Sequence, residues 1–357
     1  MVILHFACID ESKTNGVCVI VPQHVRAQKR FANTALINVN NIRIPGAEEQ
    51  LPFEKPFDLR RLPKPFDHPD LVVFHECYRP AYLAIAHVLR KNKIPYVIIP
   101  HGELRAEAQQ KKHLKKAAAN FLLFDRFIEH AAALQCLSDD EIRATHFGKK
   151  KILGTNGIEM PLAGKTAFRE KGAEFIYVGR YEWRVKGLDL LFDAIKLKEQ
   201  VLRENGCRFS LYGPDVYGRF AEVSAMVRER DLGELVSLHH EILGDEKKTA
   251  LLDADVFIQT SRHEGMPMGI LEAMSYGLPC LVTKGTSLGS VISDAHAGWT
   301  AETTAEGIAA RLVEAVEQRA MWPELGRNGI AAAREHFSWD VVASDTVRQY
   351  KRLLSEV

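Results

Sequence analysis

The chain lacks the features that mark several common classes of protein. No stretch approaches the roughly 18 uninterrupted apolar residues that a membrane-crossing helix requires, and the opening MVILHFACI is too short to span and has no basic leader. That opening is predicted to be a first β-strand and not a signal peptide. The six cysteines form no C-x-x-C pair, and several lie in apolar strand-like runs, so buried free thiols are expected. A cytoplasmic protein is the resulting expectation. There is no P-loop, no G-x-G-x-x-G and no G-x-S-x-G, which removes the usual sequence support for kinase-type chemistry, hydride transfer and serine hydrolysis. Net charge is only +1, and no basic cluster is interleaved with aromatics, so nucleic acid is not an expected partner.

What is present is a soluble α/β composition, 46% hydrophobic and 26% charged, in 357 residues, enough for two domains that each bury a core. Short apolar runs alternate with helical patterns, the mark of parallel sheets with crossover helices. A first series comprises Met1 to Cys8, Leu71 to Phe74, Tyr96 to Ile99 and Ala133 to Leu137, after which Ser138 and Glu141 have the spacing of a helix-capping box. A second comprises Phe175 to Val178, Arg208 to Tyr212, Val236 to Leu238, Asp255 to Thr260 and Cys280 to Thr283. Between them GTNGIEMPLAGKTAF is rich in turn formers, placing a linker near residues 154–172. A final helix is predicted from Trp339 to Leu354.

Charge divides unevenly. Residues 1–160 hold 23 Lys+Arg against 17 Asp+Glu and the remainder 24 against 29, so the halves are +6 and −5. Lys111, Lys112, Lys115 and Lys116 form a helical stripe beside Leu114, Ala118 and Phe121. A solvated face accounts for it; contact with anionic lipid at the inner surface of a membrane is the functional alternative.

The most informative segment is Leu251 to Val282, LLDADVFIQTSRHEGMPMGILEAMSYGLPCLV, which sets Glu264 and Glu272 with seven residues between them across a strand-loop-helix junction. Val256 to Thr260 is predicted as a buried strand, GMPMG as a tight turn, and Ile270 to Tyr276 as a helix stopped by Gly277 and Pro279. On that reading Glu272 lies in the first helical turn. The amides of Met268, Gly269 and Ile270 could hold a phosphate while Glu272 receives ribose hydroxyls and Glu264 faces the sugar. Taken singly, the glutamates read first as a dipole-complementing residue and a solvated loop carboxylate; the whole string turns the reading toward a site. A second motif follows the strand ending at Val178: Gly179-Arg180, then Lys186-Gly187 and the apolar LDLLF, with two cations flanking a helix start where open α/β sheets bind ligands. Arg180 and Lys186 could both reach a diphosphate.

Together these strings resemble the E-x7-E signature of retaining glycosyltransferases, particularly glycosyltransferase family 4, with its SRHEG-like loop, LEAM-x-x-G-x-P helix and GR…KG element. The resemblance extends over nearly the whole chain. It implies the GT-B architecture, two Rossmann-like domains facing across a cleft, with residues 1–160 as an acceptor domain completed by a crossing-back helix over 337–357 and residues 161–336 as the donor domain. It assigns His101, in IIPHGELR, a place near the reacting sugar carbon, where positioning and electrostatics matter more than proton abstraction. It makes Gly16, in TNGV, part of an amino-terminal glycine loop, although many relatives carry paired glycines and this chain has Asn15-Gly16-Val17. Tyr212-Gly213-Pro214 resembles a reduced form of the family's second Gly-x-Gly turn.

The reaction so implied is retaining transfer of a sugar from a nucleotide donor, UDP-sugar favoured over GDP-sugar, with Arg180 and Lys186 neutralising the leaving phosphate and with no cofactor or metal. Bacterial capsule, O-antigen or exopolysaccharide assembly on a glycan or lipid-linked glycan acceptor is the expected setting. Alternatives are a nucleotide-sugar 2-epimerase, a glycoside phosphorylase of similar fold, and a noncatalytic nucleotide-sugar-binding subunit of a polysaccharide complex. Asp253-Ala254-Asp255 spells D-x-D but directly precedes the buried strand, so it is read as strand initiation and not as a metal site. His239-His240-Glu241 lacks the i, i+4 spacing of helical zinc ligands.

Overall fold

The computed structural model describes residues 1–12, 16–48, 50–105, 123–148 and 150–356. The lysine stripe at 111–116, with Leu114, Ala118 and Phe121, and Asn15 of the amino-terminal loop, lie outside these residues.

The chain divides into two units, Met1–Gly157 with Trp339–Val357, and Ile158–Ser338. The first holds strands β1 (Val2–Ala7), β2 (Asn33–Asn38), β3 (Gln50–Leu51), β4 (Leu71–His75), β5 (Tyr96–Ile99), β6 (Ala133–Cys136) and β7 (Lys151–Leu153), paired side by side in the order β3-β2-β1-β4-β5-β6-β7. The second holds β8 (Ala173–Val178), β9 (Cys207–Tyr212), β10 (Val236–His239), β11 (Val256–Gln259), β12 (Cys280–Thr283) and β13 (Gly298–Ala301), in the order β10-β9-β8-β11-β12-β13. All these pairings are parallel. Both sheets begin at a central strand, run outward one way and then reverse, which is the Rossmann order. The fold is thus α/β with two Rossmann-like units.

Crossover helices cover parallel sheets on both faces, so their strands are apolar at successive positions instead of alternating. Every residue of β4, LVVFH, is buried. In β8, Phe175 and Tyr177 enter one core while Ile176 and Val178 pack on the other. The helices that matter for the site are α1 (Gly16–Gln28), α2 (Asp139–Ala144), α3 (Trp183–Lys186), α4 (Leu188–Leu197), α5 (Gly244–Asp253), α6 (Met268–Tyr276) and α7 (Trp339–Leu354). Helix α7 belongs to the first unit and packs on α1. Its buried residues Val342, Ala343, Thr346, Val347, Tyr350 and Leu353 recur at helical spacing. Trp339 lies against Gly157, where an added Cβ would come within 2.4 Å of the indole.

The sequence reading omitted β2, β3, β7 and β13. The buried polar residues of β2 hide its strand character: Thr34 Oγ1 donates to the Val25 carbonyl at 3.0 Å, and Asn38 Nδ2 donates to the Ile9 carbonyl at 2.8 Å. The capping box is half formed. Ser138 Oγ accepts from the Glu141 amide at 3.2 Å, but the Glu141 carboxylate does not return to Ser138; it accepts from the Leu137 and Gly102 amides at 2.7 and 2.6 Å. All six cysteines are unpaired and five are buried. Among the described residues no helix is long and apolar enough to cross a membrane.

Candidate donor site at the second switch point

In the second sheet the strand order reverses between β8 and β11, so the loops leaving their carboxyl ends diverge and leave a crevice, the usual ligand position in such sheets. Both motifs occupy these loops. Helix α3 is a single turn ended by Gly187 at φ 64°, and Lys186 is its last residue. The left-handed turn brings Gly187 against Thr260 so closely that a Cβ would lie 2.0 Å from the Thr260 carbonyl oxygen. Thr260 Oγ1 donates to the Gly187 carbonyl at 3.0 Å, and Arg262 clamps Asp189 of α4 with two hydrogen bonds of 2.7 Å. The KGLD and SRHEG strings are thereby joined into one framework. Gly187→Ala combines backbone strain with a clash against backbone, and is expected to destabilise the second unit by about 3 kcal/mol or more. Urea titration of the variant checks this; an unchanged midpoint would contradict the close approach.

Inside that framework Lys186 Nζ donates to Glu264 Oε1 at 2.6 Å, and the two side chains are only 12% and 13% exposed. Ser261 Oγ and Gln259 Nε2 donate to the same oxygen at 2.6 and 2.9 Å. Burial by itself would raise the Glu264 carboxyl; the Lys186 ammonium and these hydrogen bonds outweigh it and hold the group below the usual carboxylate range. Glu264 is thus a buried carboxylate kept ionised, and Lys186 reaches it instead of pointing separately at a diphosphate. Gln259 and Ser261 escaped the sequence reading because polar residues at a strand's end look like loop.

Helix α6 begins at Met268, two residues earlier than expected, behind Pro267. Glu272 is therefore its fifth residue and lies in the second turn, beyond the reach of the terminal partial charge, so the expected first-turn carboxylate is not formed. Its carboxylate instead pairs with Lys247 of α5, both side chains about a quarter exposed. Nothing in the sequence signalled Lys247, since the contact joins two separate helices. The Ile270 amide also departs from expectation, because it donates to the Pro267 carbonyl at 3.1 Å. Met268 and Gly269 keep amides with no backbone acceptor among the described residues. A Cβ on Gly269 would meet Phe257 and the Val178 carbonyl at 3.2 Å, so glycine lets the helix start sit directly on the ends of β8 and β11.

Arg180 is exposed, and among the described residues no carboxylate lies within ion-pairing distance of it. The Tyr177 hydroxyl donates to its carbonyl at 2.8 Å, fixing the backbone of the loop. Gly213 is packed so tightly that a Cβ would lie 2.0 Å from the Gly179 carbonyl oxygen, so the YGP turn and the GR turn abut. Asp255 is fully buried and accepts from Arg169 Nη1 at 2.8 Å and from the Arg169 and Glu174 amides at 3.2 and 3.0 Å. Its carboxylate anchors the residue 165–174 segment to β11.

In the first unit His101 follows β5 at φ 48°, a left-handed conformation stabilised by the next amide, Gly102 N, donating to the buried Glu141 carboxylate. Its Nε2 lies 3.1 Å from Nδ1 of His75, whose Nε2 lies 3.0 Å from Nδ1 of His5. Burial lowers His101 and His5 to about 3 and His24 to about 4, and it takes His75 well below its ordinary value. These imidazoles are neutral at pH 7. Gly16 opens α1 with nothing within 4 Å of a Cβ built on it, so no steric demand at this position requires glycine.

Residues 162–336 match the family described as glycosyl transferases group 1. An uncharacterised glycosyltransferase of Methanocaldococcus jannaschii is 24% identical over 277 residues, covering 74% of this chain and 71% of the relative. The O-antigen chain mannosyltransferase B of Escherichia coli is 34% identical over 102 residues, which are 28% of this chain and 26% of that protein. Among solved structures, HepE of Anabaena in complex with UDP-glucose superposes with a TM-score of 0.71 at 16% identity, covering 100% of both chains, a likeness of fold. Two parallel sheets in Rossmann order, and a match to glycosyl transferases group 1 over nearly all of the second unit, support a place in the GT-B group of glycosyltransferases.

Proposed function

We propose that the protein is a retaining, metal-independent glycosyltransferase of family 4 that moves a sugar from a nucleotide donor, a UDP-sugar before a GDP-sugar, to an acceptor hydroxyl in bacterial cell-surface polysaccharide assembly. The observation that carries this reading is the meeting of Lys186 and Glu264 at the second switch point, beside the Met268 and Gly269 amides. An ammonium and two helix-start amides suit a diphosphate, and an ionised carboxylate beside them suits sugar hydroxyls. Glu272, steadied by Lys247, is assigned to the ribose, and Arg180 to the outer phosphate. In the step itself the acceptor oxygen bonds to the anomeric carbon on the face the phosphate leaves. The carbon–phosphate oxygen bond breaks, and the departing phosphate takes the hydroxyl proton. Arg180 and Lys186 stabilise the charge that develops on that phosphate, and His101 positions the sugar. The polysaccharide setting draws on relatives such as the O-antigen mannosyltransferase.

Thermal stabilisation across UDP-, GDP- and ADP-sugars tests the proposal, with Arg180→Ala as control, because a ligand that binds the folded state raises its melting point. A shift with one nucleotide class, lost in Arg180→Ala, is expected. His101→Ala should keep the shift and lose transfer. Activity should also survive EDTA; loss that Mg²⁺ restores would return Asp253 and Asp255 to consideration as ligands. No shift with any donor, from protein shown to be folded, would count against a donor site.

A further inference from the structure

The row of histidines behind His101 has a direction that can be worked out from hydrogen-bond valence. It starts at the Gly154 carbonyl, which can only accept. Gln135 Nε2 therefore donates to it, at 3.0 Å, and Gln135 Oε1 is left as an acceptor. The Tyr350 hydroxyl donates to that oxygen, which uses its one proton. The Gln28 amide that meets Tyr350 must then donate through Nε2, which also donates to His24 Nε2 at 3.1 Å. This orientation leaves Gln28 Oε1 facing His5 Nε2 at 3.1 Å, so His5 carries its proton on Nε2. A neutral imidazole has one proton, so His5 Nδ1 is bare and accepts from His75 Nε2. His75 Nδ1 is bare in turn and accepts from His101 Nε2. Gln135, Tyr350, Gln28, His5 and His75 are at most 1% exposed and His24 4%, so water does not offer substitute partners along the row.

We propose that His5, His75 and Gln28, anchored through Tyr350 and Gln135 on the Gly154 carbonyl, are positioning residues that hold His101 as the Nε2–H tautomer. His101 then presents a bare Nδ1, which has no hydrogen-bond partner among the described residues, as an obligate acceptor. Such an atom takes a ligand O–H or N–H and disfavours a phosphate or carboxylate oxygen. Resting on the glycosyltransferase reading, the group it takes is a hydroxyl of the transferred sugar. The stacked rings, with centroids 5.3 and 5.4 Å apart for His5–His75 and His75–His101, leave little freedom to break the row by ring rotation.

The test is nitrogen-15 NMR of the imidazoles in the whole protein, assigned with His101→Gln. In the unliganded wild type, His101 Nδ1 should have the shift of an unprotonated nitrogen and Nε2 that of a protonated one. Tyr350→Phe keeps the ring but removes the anchor, so Gln28 can turn over. A second His101 signal with protonated Nδ1 should then appear, and Gln135→Leu should produce the same signal. UDP alone should leave Nδ1 unmoved, whereas UDP-glucose or another UDP-sugar that raises the melting point should move it toward a hydrogen-bonded value. A protonated Nδ1 in the wild type, or an unchanged single form in both variants, overturns the proposal. Equal shifts with UDP and with the UDP-sugar would overturn the hydroxyl assignment. Failure of every nucleotide sugar to bind would sink the functional reading alone, since the tautomer is read without ligand.

Discussion

Lys186→Ala is expected to lose both donor binding and a large part of the second unit's stability. The two losses have different causes and can be separated. The side chain is nearly buried against Glu264 at 2.6 Å, and its removal leaves that carboxylate ionised without its cation or forces it to take a proton. Breaking one side of a buried pair costs about 3–5 kcal/mol, which for a unit of this size corresponds to a melting point lower by roughly 10 °C. Losing a charge-assisted hydrogen bond to diphosphate costs a further ~1.5–3 kcal/mol in binding, on the order of 10- to 100-fold in donor affinity. Adding Glu264→Gln to Lys186→Ala removes the stranded charge. The double variant should recover most of the melting point, because Gln can keep partners in Ser261 and Gln259, while donor affinity stays low. Calorimetric titration with the donor and a thermal melt of each variant check this. Normal donor affinity in the stable double variant would remove Lys186 from the binding site, and a wild-type melting point in Lys186→Ala would show that the pair contributes little to the fold.

Much of this arrangement was legible because local sequence and sheet order agree. The apolar runs that became β1, β4, β5, β11 and β12 are buried at successive positions and read directly as strands, whereas β9 and β10, towards the sheet edge, expose Arg208, Ser237 and His239 and were read from their apolar residues. Glu264 and Lys186 were each found from a string, but neither string indicates that the side chains touch; the contact arises because β8 and β11 are neighbours in the sheet. Lys247, Arg262 and Asp189 were missed as partners for the same reason, since pairing across elements leaves no periodic trace. Helix α6 began early because Pro267 can precede a helix as readily as interrupt one, and that shift moved Glu272 out of the first turn. Edge strands β3 and β7 are two and three residues long, too short for any pattern to register. The histidine row is the furthest from the sequence. His5 lies inside β1, His24 on α1, His75 at the end of β4 and His101 after β5, and they look individually like scattered core or surface residues.

Those four histidines also make the first unit sensitive to acid. All are neutral in the fold: burial lowers His5 and His101 to about 3, His24 to about 4, and His75 further below its ordinary value. In the unfolded chain each titrates near ~6.5. Between these values the unfolded state binds more protons than the folded one, so stability falls as pH falls. The contribution is complete above about pH 6.5, is lost progressively on the way down, and levels off only below the folded values near 3. At pH 5 each independent imidazole accounts for about 2 kcal/mol, so even two of them remove a sizeable share of the ~5–15 kcal/mol that holds a typical domain together. Glu103 and Glu141 act in the opposite sense, since burial raises their carboxyls, and they offset part of the loss near pH 5. Melting points should hold steady from pH 8 to 7 and drop steeply between pH 6.5 and 5. Because all four imidazoles lie in the first unit, limited proteolysis at pH 5 should cut there first and spare residues 158–338. A melting point that stays flat across that range, or early cleavage in the second unit, would mean that the row takes up protons without unfolding and that its neutrality is not what the first unit depends on.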